Sequence, residues 1–119
     1  MLQPEADIHL DHLKHNYLAI KKMVGAAEVM AVIKANAYGH GAIPIAHGLS
    51  DMGVHGYWVA LGSEAFELIN AGIREPILRL GKITSDNFEL YNSGQVHCTT
   101  NSIEDLLELK ENASENSPV

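Results

Sequence analysis

Apolar residues follow two rhythms along this chain. Val29-Met30-Ala31-Val32-Ile33 is a continuous apolar run that ends at Lys34, and the small-residue stretch Ala35-Asn36-Ala37-Tyr38-Gly39-His40-Gly41 follows it. The run predicts a strand covered on both faces. Tyr57-Trp58-Val59-Ala60-Leu61 and Ile77-Leu78-Arg79-Leu80 predict two more strands, and Gln95-Val96-His97-Cys98 a more polar fourth. Between these runs the spacing turns helical. Asp11 is placed to cap a helix carrying Leu13, Tyr17, Ile20 and Val24 on one stripe, after a short extended piece, Ile8-His9-Leu10. Residues 42–52 show helical spacing through Ile45, Leu49 and Met52, with Pro44 tolerable in the first turn. Ser63 is placed to cap a helix with Ala65, Phe66, Leu68 and Ile69 on its apolar face. A short helix is expected around Asp86 to Tyr91. Ser102-Ile103-Glu104-Asp105 resembles a capping box ahead of Leu106, Leu107 and Leu109.

Strand-then-helix thus recurs at intervals of roughly 20 to 30 residues, the signature of parallel βα units. Two architectures share it: a small open doubly wound sheet, and the first half of a (β/α)8 barrel, which needs about 250 residues when complete. The expected fold is α/β with about four βα units. Residues 1–113 make up the folded part, and the polar tail 114–119 is expected to fray.

Composition narrows the function. A hydrophobic content of 46% in 119 residues supports one packed core. The net charge of −7 argues against a nucleic-acid surface and against anionic lipid. No apolar stretch is long enough to span a bilayer, and the first residues lack the basic and apolar segments of a signal peptide. Cys98 is the single cysteine, so no internal disulfide forms and a reducing, cytoplasmic setting fits.

Lys34 is the leading chemical candidate. A lysine at the end of a buried strand either snorkels to water or is held partly dry as a reactive amine, and the local residues leave both open. Gly39-His40-Gly41 before a helix has some character of a phosphate loop but lacks the rest of a nucleotide fingerprint. His9, His12 and His15 repeat at helical spacing without a Cys or acidic cluster to complete a metal site, so they read as solvated histidines. Cys98 reads as an inert thiol.

Val32-Ile33-Lys34-Ala35-Asn36-Ala37-Tyr38-Gly39-His40-Gly41 resembles the pyridoxal-phosphate attachment motif of the alanine racemases. The resemblance runs from about Ile8 to about Leu109. It includes Ile8-His9-Leu10-Asp11, His15-Asn16, the segment from Glu64 to Ile73, and Pro76 to Gly81. It implies a barrel bearing pyridoxal 5'-phosphate on Lys34, whose amine moves the substrate's α-proton on one face. Such an amine needs a lowered pKa, and a largely apolar wall would push it that way. The resemblance further implies that Tyr38 hydrogen-bonds the cofactor phosphate and that Leu80 packs near its ring. Asn36 and the two glycines shape the loop. Arg79 departs from the usual aliphatic, and either pairs with an acid or marks a broader racemase.

The implied reaction interconverts L- and D-alanine for cell-wall precursors, in a homodimer acting on a small amino acid. Alternatives are a racemase for serine or basic amino acids, a non-catalytic pyridoxal-phosphate binder, and an inactive truncated product. The family's second base and remaining phosphate ligands belong to later segments, so these 119 residues are expected to be an N-terminal fragment, inactive alone and marginally stable.

Overall fold

The computed structural model describes residues 2–82, 84–114 and 117. Its elements run α1 (Leu10–Val24), β1 (Met30–Val32), α2 (Lys34–Tyr38), α3 (Ala42–Asp51), β2 (Gly56–Val59), α4 (Gly62–Asn70) and β3 (Ile77–Arg79). After a 3-10 turn (Ser85–Asn87) come α5 (Phe88–Asn92), β4 (Val96–Cys98) and α6 (Ile103–Asn112). The four strands form one parallel sheet in the order β1-β2-β3-β4. Strand order never reverses. A doubly wound sheet requires a reversal, so the architecture is the first half of a (β/α)8 barrel.

Alternation along the strands sorts the side chains. Tyr57, Val59, Ile77 and Val96 point to the helical layer and are buried against Ile45, Ala46 and Leu49 of α3 and Ala65 and Leu68 of α4. Tyr57 is fully buried, and its hydroxyl donates to the Ala46 carbonyl at 2.6 Å and meets Ser50 Oγ at 2.7 Å. Burial pushes this phenol up to about 12 despite the Ser50 hydrogen bond, so Tyr57 stays a neutral donor. A smaller cluster, Tyr91 and Leu109 with Phe88 and Cys98, joins α5, α6 and β4. On the opposite face Val32, Trp58, Leu78 and His97 stand in register across the sheet. Trp58 Nε1 donates to Met30 Sδ there at 3.2 Å.

Several local expectations give way. Ile8-His9 forms no strand; α1 starts at Leu10 with His9 as N-cap, and Asp11 lies in its first turn. Only Leu13 and Tyr17 of the expected stripe reach the core, because α1 crosses the outside of the helical layer; Ile20 and Val24 stay exposed. β1 is covered on its helical face only: Ile33 is 3% exposed and Val32 40%. Phe66, Leu106 and Leu107 are exposed for the same reason, since one helix face suffices to cover one sheet face. Ser102 does cap α6, accepting from the Asp105 N–H at 3.1 Å, and the Asp105 carboxylate accepts in turn from the Asn101 N–H at 3.3 Å. In the expected tail, Glu115, Asn116, Pro118 and Val119 lie outside the described residues. Ser117 is buried and donates through Oγ to Asn92 Oδ1 at 2.6 Å.

Candidate functional site

The site is built around the connection after β1. The sequence predicts a plain loop there. The chain instead makes a left-handed helical turn: Ala35, Asn36, Ala37 and Tyr38 have φ of 51°, 55°, 53° and 57°. L-residues avoid this region because Cβ crowds the next carbonyl oxygen, at roughly 1–2 kcal/mol each. Four in succession need partners that hold them.

Those partners are specific. Asn36 Oδ1 accepts from the Ala42 N–H at 2.8 Å and so caps α3, which has no other side-chain cap. The Asn36 carbonyl accepts from Gly39 and Gly41, whose φ of 88° and 93° let the chain leave the turn. His40 Nδ1 stands 2.8 Å from the Ala37 carbonyl. Glu64, in the first turn of α4, reaches across: Oε1 accepts from the Ala35 N–H at 2.8 Å, and Oε2 from Ala60 and Leu61 at 2.7 and 2.9 Å. Burial drives the Glu64 carboxyl upward, but these three donors and the Lys34 charge outweigh it and hold the group below the ordinary carboxylate range. The start of α4 therefore rests on Glu64. The expected cap, Ser63, lies one residue inside the helix, because the N-cap is Leu61. Glu64 was visible in the sequence only as an acid in a helix's first turn. The bond to Ala35, 29 residues away, has no local signal.

Lys34 stands half-buried at the head of the turn, at the C-terminal end of β1. Leu80 follows β3, half-buried, with its N–H on the Val59 carbonyl at 2.8 Å. Lys34 follows β1 and Leu80 follows β3, so both lie at the C-terminal edge of the parallel sheet. Tyr38 closes the same turn, four residues after Lys34. It is 60% exposed and borders a 260 Å³ cavity with Leu13, Val32, His40 and Leu49, on the outer side of β1.

Other candidates lie elsewhere. Arg79 does not pair with an acid: among the described residues no carboxylate meets it. Its Nη1 donates to the Gly81 carbonyl at 3.3 Å and to the Lys82 carbonyl. Its position faces the helical layer in register with Val59, which leaves backbone oxygens as the acceptors in reach. Cys98 is half-buried, and burial raises its thiol pKa against the opposing charge of Arg79. The ligand atoms of His9, Asp11 and His12 come within 4.8 Å of one another, but all three residues are exposed on the surface of α1. His15 is exposed as well.

A parallel half-barrel with a lysine just past the C-terminal end of a strand places the chain among the (β/α)8 barrels, the fold whose functional sites gather at that end. Residues 8–119 match the family described as alanine racemase, N-terminal domain, and the chain belongs to that family. It is 50% identical over 82 residues to an alanine racemase of Desulforamulus reducens, covering 68% of this chain and 22% of that protein. Among solved structures, alanine racemase from E. faecalis superposes with a TM-score of 0.84 at 30% identity, covering 94% of this chain and 31% of the other. The histidine racemase of Leuconostoc mesenteroides superposes with a TM-score of 0.78 at 28% identity, covering 87% and 28%. The chain thus spans less than a third of the length of these relatives. No helix among the described residues is long and apolar enough to cross a membrane.

Proposed function

We propose that this chain is the part of an amino-acid racemase that carries pyridoxal phosphate, with Lys34 as the attachment residue and alanine as the substrate. The observation that carries the reading is the fixed left-handed turn that starts at the lysine, at the C-terminal end of β1. Such strain is sustained where a side chain must be presented in one orientation. The residues present fit the group: a primary amine for its aldehyde, a phenol for its phosphate, and an apolar side chain at the same edge of the sheet. When bound, pyridoxal phosphate supplies the electron sink that makes an amino acid's α-proton removable.

Lys34 then accepts or returns that proton at Nζ, on one face of the substrate. Tyr38, at the end of the same turn, offers its hydroxyl to the phosphate. Leu80 excludes water beside the ring. Residues 1–113 form this cofactor-binding part, and 114–119 follow as a tail. The intact protein works as a homodimer in the cytoplasm. Racemisation needs proton transfer on both faces of a planar centre, and these residues provide one such group. The chain alone is therefore expected to bind without turnover. A racemase for a larger amino acid is the second reading, favoured by the likeness to a histidine racemase.

The test is chemical. Mixing the chain with pyridoxal phosphate, reducing with borohydride and mapping the product should place the label on Lys34, and Lys34→Ala should abolish it. Diffuse labelling of Lys14, Lys21, Lys22 and Lys82 would sink the reading. A racemisation rate above that of the free cofactor would overturn the one-group argument.

A further inference from the structure

We propose that Glu64 is the positioning residue of Lys34: its carboxylate ties the end of β2 to the turn after β1 and thereby sets where the lysine amine stands. The proposal rests on the reading of Lys34 above. Ala35 is the residue after Lys34 and the first of the four in left-handed geometry. Its N–H belongs to the first turn of a helix, where no intrahelical acceptor exists, and Glu64 Oε1 takes it at 2.8 Å. The other oxygen, Oε2, holds Ala60 and Leu61 at 2.7 and 2.9 Å. One side chain thus joins two neighbouring βα connections at the sheet end where Lys34 stands.

Support for the lysine then runs from the core outward. Ala65 and Leu68 bury the inner face of α4 and fix its axis. The first turn of α4 fixes Glu64, Glu64 fixes Ala35, and Ala35 fixes the direction in which Lys34 leaves β1. Glu64 acts on the backbone through direct hydrogen bonds and meets the Lys34 charge only at longer range: among the described residues no ion pair joins the two within 4.0 Å. A carboxylate suits the place because all three partners are donors. Glutamine would turn an NH2 toward one of them, leaving two donors face to face. Aspartate would keep the charge but shorten the reach.

Two measurements on the 119-residue chain test this: amide exchange at Ala35, and the share of borohydride-fixed pyridoxal phosphate found on Lys34. Glu64→Gln should speed Ala35 exchange by about tenfold or more, as loss of a charge-assisted hydrogen bond requires, with Tyr57 and Ile77 unchanged. The Lys34 share should fall by a similar factor. Glu64→Asp should do the same at Ala35, and carries the test if Glu64→Gln fails to fold. Tyr57→Phe is the control, since it weakens the core and should leave the Lys34 share intact. Unchanged Ala35 exchange in both Glu64 variants, or an equal loss of selectivity in Tyr57→Phe, would overturn the proposal. If the unsubstituted chain never favours Lys34, the attachment reading falls, while Ala35 exchange still decides whether Glu64 holds the turn.

Discussion

The connections that follow β1 and β3 solve the same problem in opposite ways. Both turn a parallel strand toward the helical layer, and both pass through positive φ. After β3 a glycine takes that conformation, Gly81 at φ 87°. The next unit also reaches it: Gly81 N donates to Thr99 Oγ1 at 2.9 Å, and Lys82 pairs with Asp105 and Glu108 at 3.3 and 2.9 Å. After β1 the positive φ falls on four residues that carry side chains. That turn is held by Asn36 and by a carboxylate from the next βα unit. A connection that turns at a glycine is unstrained whatever partners it makes. A strained one borrows rigidity from a neighbour, and it is the strained one that presents Lys34.

The comparison can be broken most strongly through Glu64. Its carboxyl is held below the ordinary value of 4.5, so its contribution is complete above that pH and disappears as pH falls through the lower folded-state value. Denaturant midpoints at pH 7 and pH 3 should therefore drop further for the unsubstituted chain than for Glu64→Gln. The difference should be roughly 1.5–3 kcal/mol, the worth of a hydrogen bond to a charged group. Equal drops would mean that the charge holds nothing.

Exchanging the two solutions gives a smaller and sharper effect. Ala35→Gly should stabilise by about 0.5–1 kcal/mol, because glycine relieves the left-handed strain while enlarging unfolded-state entropy. Gly81→Ala should destabilise by about 1 kcal/mol through backbone strain alone, since no atom lies within 4 Å of the added Cβ. Urea melts of both variants measure the pair, and effects of the same sign would erase the contrast. Lys82→Ala should do least. Both its ion pairs are at the surface, where solvent screens them, and its melting temperature should match the parent's at high salt.

Much of the fold was legible because sheet and helix periods are local. All four strands and the helices α3, α4 and α6 lie where apolar spacing put them, to within a few residues. The misplacements share one cause. Ile20, Phe66, Leu106 and Leu107 fit a helical stripe as well as the buried residues do, and only the placement of each helix on the sheet decides which apolar residue turns inward. At the site, Lys34 stood out as a charge closing an apolar run, and Asn36 as a loop-shaping residue. Glu64 did not stand out as a clamp, and nothing in Ala35-Asn36-Ala37-Tyr38 announces left-handed geometry, since Ala and Tyr disfavour it.

What the sequence determined by itself is therefore the parallel βα rhythm and a lysine at the end of the first strand, because both depend on residues close together in the chain. What only the tertiary structure decided is the hand of the turn after Lys34 and the way it is held. Ala35 and Glu64 are 29 residues apart, and their bond exists only once β1 and β2 pair in register. A conformation that three of its four residues disfavour is held by Asn36 from within and by a partner that only the fold brings to it.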